Sequence, residues 1–307
     1  MHPVIRAKYR EAVLEQKEYQ LSCGDVVEYL QFPKLAKLER VEHVFTTRTG
    51  GVSKGDCGTL NFSFTRGDDP KCVLENYCRI GEIFGREAKD FVTTDQTHAT
   101  NIRVVTKADA GKGVTVSRDY TDIDGLITNE KGLILSCFTA DCVPIYFVDP
   151  VKQVIGVAHS GWRGTVAGMG DCMVKRMQEE FGCEPEDMVA AIGPSICQTC
   201  YEISEEVAVQ FKQGFWKEEA VTDYGKEAFA RGLHPTGRLL TEGKAEGKYQ
   251  LDLWLANYIV LRRAGILAEN IDMTDICTNC NPAYLFSHRA TGGKRGNLAA
   301  FLMMKEE

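Results

Sequence analysis

Residues 123–159 read IDGLITNEKGLILSCFTADCVPIYFVDPVKQVIGVAH. Four short β-branched or aromatic runs, DGLIT, GLILSCFT, VPIYFVD and QVIGVAH, are separated by turn residues at 129–132, 140–142 and 149–152. Runs this continuously apolar predict strands covered on both faces. The break at Asp149, Pro150, Val151 and Lys152 is short enough for a hairpin, so at least part of the sheet is antiparallel.

Downstream, the glycine-containing turn SGWRG feeds a predicted helix over residues 165–181, striped by Val166, Met169, Met173 and Met177 and ended by Gly182. A helix is expected after Ser204, with Glu205 and Glu206 in its first turn, where the helix dipole favours anions. Residues 217–249 are polar and glycine-rich and read as a surface excursion. Asp252 then caps a helix carrying Trp254, Leu255, Tyr258 and Leu261, with Gly265 as terminator. Upstream, residues 44–47 read as a strand running into a loop with Gly50, Gly51, Gly55 and Gly58. Asp69 and Pro70 open a helix with Val73, Leu74, Tyr77, Ile80 and Phe84 on one face and Gly85 at its end. The first 40 or so residues suggest a helix followed by an edge strand. The sequence contains no internal repeat and no domain linker.

The chain has 307 residues and a formal charge of −7. That balance argues against a protein that coats nucleic acid or anionic membrane, because both need excess Lys and Arg. Charges interrupt every apolar run before the ~18 residues of a membrane span. The N-terminal segment lacks the apolar core of a secretory signal. The expectation is a soluble, cytoplasmic protein without nucleic-acid or membrane partners. Its 12 cysteines are then mostly thiols.

His98 in DQTHAT, Cys142 in FTADCVPI and His159 in GVAHSGWRG stand where strands end and loops begin, the usual mounting points for catalytic groups. Their separations of 44 and 17 residues match no compact zinc-finger pattern. From spacing alone each reads more readily as a structural His or a buried Cys than as a ligand.

The blocks HVFTTRTGGVS, LNFSFTRGDDP, QTH, DIDGLIT, TADCVPI, AHSGWRGT, IGPSIC..CYEI and CNPAYLFSHR follow in that order across residues 43–289. Together they resemble the YfiH/LACC1 family (DUF152), variously labelled multicopper polyphenol oxidoreductase and purine nucleoside phosphorylase. The resemblance implies a single α+β domain, with mixed or antiparallel sheet layers covered by helices in α/β/β/α order. It would span residues 41–307, with 1–40 as an N-terminal extension. It also implies a Zn²⁺ site made by His98, Cys142 and His159. Two imidazoles and one thiolate suit zinc and leave a fourth tetrahedral position for water or substrate, which means catalysis rather than stapling. Zinc lowers the pKa of bound water towards ~7. A multicopper centre would need on the order of eight imidazoles, whereas the chain has 6 His, so the copper oxidase reading ranks below the zinc reading.

The implied activity is phosphorolysis of adenosine, inosine or methylthioadenosine, with purine nucleosides and inorganic phosphate as partners, and deamination of adenosine at the same site. Asp141, beside Cys142, is the candidate acid/base; its alternative is a turn carboxylate. Arg48 in TTRTGG is the first candidate for phosphate and Arg163 in SGWRG the second, since a guanidinium pairs two phosphate oxygens at once. His288 and Arg289 match the family's F-S-x-R block and are substrate candidates, as are Asn61 and Gln96, which also serve simply to close turns. The tail KRGNLAAF departs from the family by placing Asn297 where arginine is common and Arg295 two residues earlier, so no role is assigned there.

The pairs Cys197/Cys200 and Cys277/Cys280, with 76 residues between them, lie outside zinc-ribbon spacing and read as reduced thiols in turns rather than a four-cysteine zinc site. Two rivals use the same residues: a cysteine hydrolase with Cys142 as nucleophile and His159 as base, and a non-enzymatic binding protein retaining zinc.

Overall fold

The computed structural model describes residues 5–8, 13–213 and 216–306. Its centre is the hairpin predicted from the 123–159 stretch: β8 (Val143–Asp149) and β9 (Val154–Ser160), with Asp149 paired to Val154. Asp149 shapes the turn, its Oδ1 accepting from the N–H groups of Val151 and Lys152 at 2.9 and 2.8 Å. The other two runs are β6 (Gly125–Thr128) and β7 (Ile134–Thr139).

Six strands form each of two sheets. The first has the order β1 (Glu15–Gln20), β2 (Val26–Gln31), β3 (Val41–Thr46), β15 (Leu298–Met304), β7, β4 (Phe91–Thr93). The second runs β14 (Ile271–Met273), β10 (Val189–Ile192), β8, β9, β6, β5 (Ile102–Val104). Most neighbours are antiparallel; β4/β7, β5/β6 and β10/β14 are parallel. A small third sheet joins β11 (Glu202–Ser204), β13 (Lys248–Leu251) and β12 (Leu240–Glu242).

Alternation along the strands builds the layers. On β8, Val143, Ile145 and Phe147 pack outward with Met169, Met173 and Met177 of α4 (Met169–Phe181) and Trp254 and Leu261 of α7 (Leu253–Arg263). Tyr146 and Val148 of the same strand point the other way, joining Phe45, Leu135, Ala300 and Leu302 between the sheets. On β15 the intervening Ala299, Phe301 and Met303 meet Val73, Tyr77, Ile80 and Phe84 of α2 (Pro70–Phe84). Strands buried on both faces are why these runs lack polar alternation. Helix, sheet, sheet, helix is the layer order that the family resemblance implies.

Helix ends follow the expected chemistry at three places. Asp69 accepts from Lys71 N–H and Asp252 from Leu255 N–H, and Gly85 closes α2 at φ 63°. The single helix expected over 165–181 is instead two, α3 (Trp162–Val166) and α4, because Gly168 takes φ 80° and breaks the ladder between them. The helix after Ser204 is α5 (Glu205–Gln210). The segment 217–249 is more structured than a surface excursion: it carries α6 (Glu218–Ala230), β12 and the start of β13, and it buries Val221, Ala228, His234 and Leu239. Near the N-terminus the expected helix is replaced, from Glu15 on, by a two-strand ribbon whose charged outer strand β1 sits at the sheet edge. The part of that expectation covering residues 1–4 and 9–12 lies outside the described residues. The remaining helices are α1 (Pro33–Ala36) and α8 (His288–Thr291). No helix is long and apolar enough to cross a membrane among the described residues.

Candidate metal centre

The β8/β9 register places Val143 opposite Ser160, so Cys142, just before β8, lies beside the end of β9, which carries His159. His98 arrives from the loop between β4 and β5 and holds φ at 69°, a left-handed conformation uncommon outside glycine. The donor atoms of His98, Cys142 and His159 lie within 4.8 Å of one another. Cys142 Sγ is 3.8 Å from His98 Nε2, and the two imidazoles meet edge to face with centroids 4.8 Å apart.

Gly161 makes this convergence sterically feasible. A Cβ there would stand 2.8 Å from His98 Cδ2 and 3.2 Å from Cys142 Sγ. The cluster is thus packed to the backbone on one side, while exposed His98 opens it to solvent on the other.

Asp124, which the sequence reading passed over, organises the cluster. It is fully buried just before β6, whose pairing with β9 sets it beside His159. Its Oδ1 lies 2.7 Å from His159 Nδ1 and accepts from His98 N–H at 3.1 Å; Oδ2 accepts from the N–H groups of Thr97 and Ala99, each at 3.0 Å. Burial works against its charge, but the bonds from His159, Thr97 and Ala99 hold it below the ordinary carboxylate range. With Nδ1 committed to a carboxylate, Nε2 is the ring nitrogen of His159 that faces the cluster, the arrangement typical of metal-ligating histidines. The signal in the sequence was the DIDG block itself.

Burial alone would raise the Cys142 thiol, yet His159, followed by His98, more than offsets this and brings it down to about 6. For His159 burial acts downward, while the Cys142 thiolate and Asp124 raise it to about 9. Both shifts favour the thiolate, the form that binds metal.

The three residues border a cleft of about 730 Å³, whose walls include Phe64, Gln96, Phe138, Arg66, Arg118 and Arg295. Arg118 is engaged by Asp95 at 2.7 Å and by Thr93 and Thr94. Arg295 is buried, and its Nε has no partner among the described residues. Burial and the neighbouring Arg66 push its guanidinium down to about 10. Besides Arg118, which is paired with Asp95, the cleft wall thus carries two further guanidiniums, Arg66 and Arg295, a local concentration of positive charge in an acidic protein. From sequence alone Arg295 carries no role, because the tail pattern around it departs from the family's.

Several sequence candidates have other work. Arg48 does not line the cleft: Nε and Nη2 bond Gly58 O at 3.0 and 2.8 Å, Nη1 bonds Pro282 O at 2.9 Å, and the guanidinium lies over Phe286. Its fork is spent joining two loops, which corrects the expectation that it cradles phosphate. Asn61 is buried and saturated by Ser63, Asp68 and Asn297, so it ties the LNFS loop to the tail instead of facing substrate. Gln96 lines the cleft, but its amide pairs with both backbone groups of Phe138 at 2.7 Å, like one more rung of a ladder. Asp141, at φ 94°, accepts from Thr278 Oγ1 at 2.6 Å and Arg289 N–H at 2.7 Å, the turn-carboxylate alternative. Arg289 reaches Cys200 O and Glu202 O, and exposed His288 begins α8. Arg163 is exposed on α3, its guanidinium over the Trp162 ring.

Fold and site together define an α+β protein with a two-histidine, one-cysteine metal-donor cluster at the border of a polar cleft. The family model described as multi-copper polyphenol oxidoreductase laccase matches residues 42–305, and the chain belongs to that family, the one that its sequence blocks resemble. It is 37% identical over 266 residues to the purine nucleoside phosphorylase YlmD of Bacillus subtilis (strain 168), covering 85% of this chain and 88% of that protein. Over 271 residues it is 31% identical to the adenosine deaminase RL5 of an unknown prokaryotic organism, with 88% and 95% covered. The crystal structure of the Bacillus licheniformis hypothetical protein YfiH superposes with a TM-score of 0.79 at 30% identity, covering 90% of this chain and 96% of that one. The copper in the family's description finds few imidazoles here. His43 is buried between Phe32 and Tyr146, His234 bonds Asp252, and His288 lies on α8, leaving two histidines at the cluster among the described residues.

Proposed function

We propose that this protein is a zinc-dependent purine nucleoside enzyme. It cleaves adenosine, inosine or methylthioadenosine with inorganic phosphate to base and sugar 1-phosphate, and it deaminates adenosine at the same site. The observation that carries this reading is the His98, Cys142 and His159 cluster bordering the cleft that also holds Arg66 and Arg295. The names of the relatives, a phosphorylase and a deaminase, supply the reaction classes.

The donor set fits zinc better than copper: a thiolate and two imidazoles, one backed by a buried carboxylate, with a glycine where any side chain would intrude. Held by these three residues, zinc would supply Lewis acidity, with a coordination position left for water or substrate.

The chain's own residues do the rest. Asp124 keeps the His159 proton on Nδ1 and fixes the ring. Phe64 and Phe138 offer ring surface to a purine in a cleft whose volume suits a nucleoside. Arg66 and Arg295 bind phosphate and hold it for attack on the sugar carbon as the base departs. Asp141 holds the turn that presents Cys142, and Arg163, His288 and Arg289 lie outside the cleft lining.

The test is incubation with adenosine, with and without phosphate, followed by separation of products. Adenine and ribose 1-phosphate report phosphorolysis, and inosine without phosphate reports deamination. His98→Ala should abolish both. Absence of both products from the zinc-loaded wild type would overturn the proposal.

A second reading shares the geometry, since Cys142, His159 and Asp124 also form a nucleophile, base and orienting carboxylate. The contact of His98 with the thiol disfavours it, because a hydrolase needs no second imidazole on its nucleophile. Alkylation separates the two: a ligated Cys142 resists the reagent until a chelator is added, whereas a free nucleophile reacts at once.

A further inference from the structure

The fold brings the two C-x-x-C pairs together. β10 and β14 are parallel neighbours, so the loops leaving them emerge at the same sheet end. Cys197 follows β10 by five residues and Cys277 follows β14 by four. A parallel bridge between Ser195 and Cys277, with Thr278 N–H bonding Ser195 O at 3.1 Å, brings the loops into register. The four sulfurs of Cys197, Cys200, Cys277 and Cys280 lie within 4.8 Å of one another. The long sequence separation that disfavoured a shared site is erased by one strand pairing.

We propose that these four cysteines form a second metal site, a closed tetrathiolate zinc centre that fastens the loop after β10 to the loop after β14. Three observations support it. A tetrahedral zinc with Zn–S of ~2.3 Å sets its sulfurs ~3.8 Å apart, and Cys200 and Cys280 are already at 3.5 Å. A cluster in which every sulfur is near every other suits a central ion, whereas disulfides would need two chosen pairs at ~2.05 Å. Donors are also arranged for a negatively charged centre. Cys197 N–H points at Cys277 Sγ at 3.3 Å, and Lys8 Nζ stands 3.8 Å from Cys280 Sγ. Binding would displace up to four thiol protons to solvent, with no change of oxidation state.

This site differs in kind from the one at His98. All four positions are taken, Cys197 and Cys277 are fully buried, and nothing is left open for substrate. Its role is to hold loops. The clamped segments supply Thr278 Oγ1 and Ile196 N–H, both bonded to Asp141, and Cys200 O, which receives Arg289. The clamp therefore braces the turn that carries Cys142 from behind.

The test uses the full chain, purified without a histidine tag and loaded with zinc alone, with metal content measured per chain. In a His98→Ala/Cys142→Ala background one zinc should remain, and its X-ray absorption should show sulfur ligands only. Adding Cys200→Ser/Cys280→Ser, at the two half-buried positions, should take that value from one to none. Should the serine variant fail to fold, the absorption spectrum of the background variant still decides. Zinc absent from the background variant, nitrogen or oxygen ligands in its spectrum, or recovery of the four cysteines as two disulfides under non-reducing alkylation would each overturn the proposal. Loss of zinc only at the His98 cluster would instead count against the enzymatic reading and leave this one standing.

Discussion

His159 Nδ1 and Asp124 Oδ1 lie 2.7 Å apart, both residues almost wholly excluded from water. The same carboxylate takes backbone N–H groups from Thr97, His98 and Ala99. One buried side chain thus fixes the ring of one metal-donor residue and the backbone of another. Asp124→Asn keeps the size but turns one acceptor into a donor, facing either His159 or the Thr97–Ala99 amides. Zinc affinity, measured by competition with a chelator, should fall about 10–100-fold, with turnover falling in step.

Gly161 tests packing without touching a donor. Its φ of −67° suits any residue, so Gly161→Ala carries no backbone penalty. The added methyl would meet His98 Cδ2 and Cys142 Sγ well inside normal contact. The variant should keep a near-wild-type melting temperature yet lose about 10²-fold in turnover, because displacement by a fraction of an ångström is enough to spoil the cluster. Unchanged kinetics would mean that the cluster tolerates rearrangement.

Much of the fold was legible because two-sided burial leaves an unmistakable trace. The 123–159 run contains four strands and a tight turn with no room for a helix. The break at Gly168 was harder to see, since the methionine stripe continues across it. At the site, His98, Cys142 and His159 came from family resemblance; their spacing meant nothing until β8 and β9 paired and the 97–99 loop folded onto Asp124. Asp124, Arg295 and the four-cysteine cluster depend on contacts between strands far apart in sequence, such as β6 with β9 and β10 with β14. Arg48 misled for the opposite reason. An arginine leaving a strand into glycines looks the same whether its fork faces phosphate or carbonyl oxygens.

His43 gives stability a pH signature unconnected with catalysis. It sits on β3 with Nε2 accepting from Phe32 N–H at 2.8 Å, while Nδ1 has no partner among the described residues. Burial, helped by Lys305, holds it down to about 3. Between that value and its unfolded pKa near ~6.5, only the unfolded chain takes up the proton, so lowering pH favours unfolding. From pH 7 to pH 5 this group alone should remove about 2 kcal/mol of stability. His43→Gln removes the titration, and its denaturation midpoint should decline less over that interval. Parallel wild-type and variant curves would refute the assignment.

Arg48 and Arg295 should separate structural from substrate-binding arginine. Arg48 bonds two carbonyl oxygens with three nitrogens, so Arg48→Ala should cost about 2 kcal/mol in denaturant unfolding, with little change in the phosphate KM of the protein that remains folded. Arg295→Gln leaves the Arg48 brace intact and removes the cation whose Nε has no partner. A charge-assisted bond to phosphate contributes about 1.5–3 kcal/mol, so the phosphate KM for phosphorolysis should rise about 10–100-fold. Adenosine deamination, which consumes no phosphate, should proceed near its wild-type rate in the same variant. If both reactions decline together, Arg295 supports the cleft as a whole; if neither changes, Arg295 does not bind phosphate.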